Sequence, residues 1–295
     1  MTTTLALTLV LSVAIGLSLG LLGGGGSILT VPILAYVAGL DAKEAIAASL
    51  FVVGVTSAVS VVSHARQGRV RWRTGLVFGA AGMVGAFAGG LLGGRLPGRL
   101  LMIAFGLMML ATALAMIRGR RGPQTEPKPG DLPVLKVVAE GLVVGLVTGI
   151  VGAGGGFLVV PALVLLGGLP MSVAVGTSLL VIAMKSFAGL AGYLTTVQLD
   201  WGLVLAVTAA AVVGSLLGSR LAGVIPERVL RTGFGVFVLV MGVFVLAQEL
   251  PHPYGLALAG VAGLLALAAV VCWYAVPACP VRRWLGAGAT QTASG

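Results

Sequence analysis

The sequence predicts an all-α polytopic membrane protein. It is read as two inverted-topology repeats of about five membrane segments each, one of them short or re-entrant, plus an extra C-terminal helix. Three observations carry this reading: a lipid-soluble composition, a gapless internal duplication, and opposite charge in equivalent loops. Of 295 residues, 58% are hydrophobic and only 9% charged, against about 25% charged in a soluble domain. Long unbroken runs such as Leu203 to Leu217 lack the alternation that a membrane β-barrel strand needs. The lipid bilayer is therefore the expected surrounding.

The net charge of +10 does not point to nucleic acid, because the basic residues sit in short loops between apolar runs, where positive charge retains a loop in the cytoplasm. Cys272 and Cys279 form no CxxC pair and have no histidine cluster beside them, so neither a metal nor a cofactor is expected. HExxH, GxSxG and paired intramembrane aspartates are missing too, which argues against an enzyme. Met1 to Gly20 is apolar but has no basic leader and no small-residue cleavage site, and it reads as the first membrane segment.

Apolar runs fall at about residues 4–22, 26–39, 45–63, 74–93 and 100–117, then 133–150, 155–168, 172–194, 202–221 and 229–248, with one more at 254–276. Runs near 20 residues can span the bilayer, whereas 26–39 and 155–168 are short. Each short run follows a glycine cluster: Gly23 to Gly26 in one case, Gly152, Gly154, Gly155 and Gly156 in the other. Glycine costs about 1 kcal/mol per residue relative to alanine inside a helix, so the backbone should break at both places. Adding 129 to a residue number in the first half lands on its counterpart in the second: Gly20 on Gly149, Pro32 on Pro161, Ser49 on Ser178, Ser57 on Ser186, Trp72 on Trp201, Gly85 on Gly214, Arg99 on Arg228. The expected domains are 1–118, the first transmembrane repeat; 119–132, a proline-bearing cytoplasmic linker; 133–250, the second repeat; and 251–295, the extra helix and a cytoplasmic tail.

Loop charge sets the relative orientation. The loop after the third run holds Arg66, Arg69, Arg71 and Arg73, whereas its counterpart from Thr195 to Trp201 has no basic residue and carries Asp200. The positive-inside rule places the first loop in the cytoplasm and the second outside. The linker and the C-terminal Arg282 and Arg283 then lie inside; the short loop holding Arg95 and Arg99 does not fit. The 36 residues from Thr4 to Gly39 would measure about 54 Å as one helix, too long for a hydrocarbon core of about 30 Å, so they form two crossings or a re-entrant hairpin. Both give each half an odd number of crossings and invert it relative to its partner.

A helix break frees backbone N–H groups, and the positive end of a helix dipole can hold an anion without a formal charge. Paired breaks in a hydrophobic chain point to a transporter's binding site. The substrate-binding candidates are therefore Gly23, Gly24, Gly25, Gly26 and Ser27 at the first break and Gly152, Gly154, Gly155 and Gly156 at the second. The bland alternative is a tight turn or close helix crossing that only glycine permits. Ser49, Thr56, Thr177, Ser178 and Lys185 join the candidates, with Lys185 the only lysine well inside an apolar run. An ionisable residue at that depth marks a functional site by default; its alternative role is to pair with a carbonyl or an acid and hold two helices together. Glu140 and His64 read as interfacial residues, with proton shuttling as the alternative role of each. Trp72 and Trp201 read as interfacial anchors. The ladder Gly75, Gly79, Gly82, Gly85, Gly89 and Gly93 reads as a close helix-packing face.

The stretches GLLGGGGSILTVP at Gly20 to Pro32, GIVGAGGGFLVVP at Gly149 to Pro161 and VGTSLLVI at Val175 to Ile182 resemble the TauE/SafE sulfite exporter family over about residues 5–250. Lys185 departs from that likeness, standing where the family often has asparagine. The resemblance implies transport, outward, of sulfite or a small organosulfur anion such as sulfoacetate across the bacterial inner membrane, with protons as a candidate coupling ion. The alternatives are a passive anion channel and a permease for another small oxyanion or carboxylate.

Overall fold

The computed structural model describes residues 2–22, 27–118, 134–152, 156, 159–160, 163, 169, 171–221, 227–251, 254–255 and 260. Every regular element among them is helical. We label the helices α1 (Thr2–Leu22), α2 (Thr30–Pro32), α3 (Ala42–Arg66), α4 (Trp72–Arg95), α5 (Gly98–Arg118), α6 (Val134–Val151), α7 (Met171–Tyr193), α8 (Trp201–Leu221) and α9 (Glu227–Glu249). Within α3, α4, α7 and α8, the stretches Ala42–Arg66, Trp72–Arg95, Val173–Tyr193 and Trp201–Arg220 are long and apolar enough to cross a membrane. The chain is a multi-pass membrane protein.

Local chemistry fixes where the spans begin and end. Glu44 lies in the first turn of α3 and Arg66 in its last, each sign complementing the helix dipole. Gly68, at φ +68°, then stops α3 with a left-handed turn, its N–H donating to the Ala65 carbonyl, a conformation that glycine adopts without a Cβ penalty. At the equivalent start of α8, Asp200 Oδ1 accepts the Gly202 N–H at 2.9 Å, an N-cap. Trp72 and Trp201 are both exposed, as interfacial anchors should be.

After α1, the chain resumes at Ser27 and passes through α2 into a π-helical turn, Ile33–Val37. The helical stretch Ser27–Val37 measures about 16 Å, half a hydrocarbon core. Ile28 to Leu34 are all buried, which meets the requirement that irregular backbone at membrane depth be covered by protein. Run 26–39 is thus too short to cross by itself.

Contacts divide the chain into two compact units, one comprising Met1–Phe105 with Arg121–Glu227, the other Gly106–Arg120 with Arg228–Gly295. Each draws on both halves of the sequence. In the first, α1 packs on α8, α4 on α6 and α7, and α3 on α7. These contacts recur under the 129-residue offset. A Cβ added at Gly85 of α4 would stand 2.7 Å from the Leu146 nitrogen of α6, and one at Gly214 of α8 would stand 2.9 Å from the Leu17 nitrogen of α1. Gly16 packs on Ala211 as Gly145 does on Gly82, and Gly20 on Ser215 as Gly149 does on Ala86. The buried clusters are counterparts as well: Leu34, Ala45, Val52 and Val207 form one, and Leu163, Ala174, Val181 and Phe78 the other.

Helix directions follow from the same contacts. Gly54 of α3 faces Phe187, Leu50 lies by Gly189, and His64 at the end of α3 lies by Gly176 near the start of α7, so α3 and α7 cross antiparallel. The backbone of Arg69 touches Gly176, whereas Thr196 touches Gly94 at the end of α4. The loop after α3 and the loop after α7 therefore sit at opposite ends of α7. In the second unit, α5 packs on α9 through Gly106 against Leu246 and Gly242 against Met109.

Candidate functional site

The antiparallel crossing of α3 and α7 is where polar groups gather, and it receives the C-terminal end of α6. Thr56 and Lys185 occupy repeat-equivalent positions in these two helices. Thr56 donates to the Val52 carbonyl at 2.7 Å, a local bond typical of threonine in a helix. Lys185 is only 1% exposed. Its Nζ donates to Thr148 Oγ1 of α6 at 3.1 Å, and Thr148 in turn donates to the Val144 carbonyl at 2.7 Å. Among the described residues, no carboxylate lies within ion-pair distance of Lys185. An ammonium has three donors, and a buried charge is stable only when paired and hydrogen-bonded. Thr148 Oγ1 accepts one of those donors.

The backbone leading into the second glycine cluster is held from both sides. Gly152 ends α6 at φ +73°, its N–H donating to the Thr148 carbonyl at 2.9 Å. A Cβ there would collide with the Ile46 side chain, so both conformation and space demand glycine. Ser49 Oγ reaches the Gly152 carbonyl at 2.7 Å and the Ile46 carbonyl at 2.8 Å. Tyr193 of α7 donates its hydroxyl to the Ile150 carbonyl. The end of α6 is thereby stapled to α3 and α7.

The sequence-predicted residues fall into three groups. Gly23, Gly24, Gly25, Gly26, Gly154 and Gly155 lie outside the described residues, as do the linker 119–132, both cysteines, and nearly all of the expected eleventh run. Lys185 through Thr148, and Ser49 through Gly152, meet the end of α6 at its junction with α3 and α7; Thr56 is buried on α3 and bonded to its own backbone, and Ser27 and Gly156 are buried. Thr177 and Ser178 are also buried, but Thr177 Oγ1 accepts the Arg71 N–H at 3.0 Å and Ser178 donates to the Val175 carbonyl. They tie the start of α7 to the basic loop and to its own backbone.

Several polar groups escaped the sequence reading of the site. The side-chain oxygens of Thr30, Ser57, Ser60 and Ser186 and the Nδ1 of His64 are buried without a hydrogen-bond partner among the described residues. Ser57 and Ser186 are repeat counterparts, so a signal existed in the retention of serine at both places. Thr148 gave no such signal, because its role depends on a lysine 37 residues away. His64, expected at an interface, is 8% exposed on the last turn of α3.

The profile of the family described as Sulfite exporter TauE/SafE matches residues 8–245. A chain of Xylella fastidiosa named "Probable membrane transporter protein" is 34% identical over 237 residues, covering 79% of this chain and 91% of its own length. Proteins with similar names from Methanocaldococcus jannaschii and Bacillus subtilis are 28% and 26% identical; they cover 81% and 79% of this chain and 96% of their own length in each case. No solved structure matches the chain.

Proposed function

Because this chain belongs to the sulfite exporter TauE/SafE family of membrane transporters, we propose that it carries sulfite or a small organosulfur anion outward across the bacterial inner membrane. The observation that carries the anion reading is Lys185, a buried amine whose hydrogen-bond partner among the described residues is the neutral hydroxyl of Thr148, so that a bound anion would favour its protonated form. A bound monoanion supplies the missing countercharge, and N–H groups freed at the two glycine clusters supply further donors. Ser49 and Tyr193 hold the backbone at Gly152 and Ile150, where α6 leads into the second cluster.

Alternating access follows from an inverted repeat, in which one half rocks against the other around a fixed midplane site. Support comes from α3 and α7, repeat counterparts that run antiparallel, and from the Arg-rich and Asp200-bearing loops at opposite ends of α7. The positive-inside rule then puts the Arg66 to Arg73 loop, the 119–132 linker and the C-terminal tail in the cytoplasm. A membrane-impermeant reagent should label cysteine at Gln67 and at Gln198, both exposed, from opposite sides; labelling from one side would end the inversion.

The test of function is uptake of labelled sulfite into inside-out vesicles, with sulfoacetate, thiosulfate and phosphate as competitors and with an imposed pH gradient. Saturable uptake driven by that gradient, competed by sulfoacetate and lost in Lys185→Met, is the expected result. Unsaturated flux that follows voltage alone would make the protein a channel. Equal competition by phosphate would broaden the substrate beyond sulfur anions.

A further inference from the structure

Serine and threonine in a helix ordinarily return their hydroxyl proton to a carbonyl three or four residues back. Ser12, Thr56, Thr112, Ser178, Thr208 and Ser215 all do so here. Ser57 and Ser60 do not, and with His64 Nδ1 they form a set of unpartnered polar atoms on α3. Their spacing of three and then four residues puts them on one helix face, in a file about 10 Å long. Buried polar atoms without protein partners are satisfied by water or by a ligand.

The file has a direction. Its inner end lies beside the α3–α7 crossing, and its outer end, His64, precedes the exposed Arg66, Arg69, Arg71 and Arg73, a collar that concentrates anions. The repeat-equivalent face of α7 reads Ser186, Gly189, Tyr193. It offers one unpartnered hydroxyl, then no side chain, then a tyrosine already bonded to Ile150. Exposures of 0%, 2% and 8% along Ser57, Ser60 and His64 leave His64 the outermost of three buried polar side chains.

We propose that the Ser57, Ser60 and His64 face of α3 lines the cytoplasmic half of the path taken by the anion, with His64 as its outer gate. This rests on reading the chain as an anion transporter. The test uses single cysteines at Ser57, Ser60 and His64, and at the lipid-facing Val62 (50% exposed), in a Cys272→Ser, Cys279→Ser background. An anionic methanethiosulfonate reagent is applied to inside-out or right-side-out vesicles without any substrate. A thiol reacts only where water lets it ionise, so from the cytoplasmic side Ser60→Cys and His64→Cys should react at least about tenfold faster than Val62→Cys. The order expected is His64, Ser60, Ser57, with the anionic reagent faster than its cationic analogue. Reaction no faster than that of Val62→Cys, access only from outside, or preference for the cationic reagent would overturn the proposal. If a cysteine variant fails to fold, Ser60→Trp against Val62→Trp decides: the first should stop uptake in folded protein and the second should not, and equal uptake in both would refute the path. Labelling does not depend on which anion is carried, so an error over sulfite leaves it intact, whereas flux lost in Lys185→Met with no labelling would reject the path alone.

Discussion

The two crossing helices α3 and α7 contribute to paired buried clusters and carry different chemistry. At three positions related by the 129-residue repeat, α3 has Thr56, Ser60 and His64 where α7 has Lys185, Gly189 and Tyr193. The packing around them is duplicated, from the glycine contacts to the paired buried clusters. Close-packed backbones tolerate no added atoms, so those positions stay equal in both halves. A polar side chain that does not sit at a backbone crossing is under no such constraint and can diverge into an amine on one side and a row of hydroxyls on the other. The proposed path would then differ between the halves where the close backbone contacts do not.

The largest effect expected is at the end of α6. Gly152→Val places a β-branched side chain at positive φ and against Ile46, so anion uptake should fall to background and the melting temperature in detergent should drop. Uptake at the normal rate would show that the second glycine cluster takes no part. Next comes the charge itself. Lys185→Thr gives α7 the residue of α3 and should lower uptake by about tenfold or more, equivalent to about 1.4 kcal/mol, in protein that still elutes as a sharp peak. The exchange variant Thr56→Lys with Lys185→Thr sharpens the comparison, since Thr148 of α6 holds the ammonium only on the α7 side. Full recovery of uptake in that variant would mean that the halves are interchangeable.

The packing side of the comparison predicts equality. Gly85→Ala and Gly214→Ala push a methyl group toward backbone at 2.7 and 2.9 Å respectively, and each should destabilise by about 1–3 kcal/mol. Thermal unfolding of both in one detergent checks this. A large difference would show that the duplicated contacts are unequal in strength.

Much of this was legible in the sequence, because duplication and apolar runs are written in residue types. The glycines at 16, 20, 85 and 89 and their partners at 145, 149, 214 and 218 could be paired by number before any contact was known. The buried lysine was legible for a similar reason, as a lone charge within a run of apolar residues. What the sequence could not reveal was the use of each hydroxyl. Ser49 and Ser57 lie two turns apart on α3, yet one bonds the Gly152 carbonyl and the other has no partner. That distinction depends on which backbone passes nearby. Ser178 likewise looked equivalent to Ser49 by number, but its hydroxyl bonds back to Val175 within its own helix, whereas Ser49 also reaches α6.

Tyr193 gives the smallest and most discriminating test. Its ring is fully buried and its hydroxyl meets the Ile150 carbonyl two residues before Gly152, whereas its counterpart His64 makes no such bond through Nδ1. Tyr193→Phe keeps the volume and leaves that carbonyl without this donor, a loss of about 1–3 kcal/mol when a buried acceptor is orphaned. If the tyrosine acts by holding the end of α6, uptake should fall a few-fold along with the melting temperature, and half-saturation for the anion should rise as the glycine cluster loosens. His64→Phe removes a polar gate rather than a staple, so it should slow maximal flux while leaving the melting temperature nearly unchanged. Matching losses of stability in the two variants would mean that both residues are staples, and the difference between the two ends of the path would then have to come from Ser60 alone.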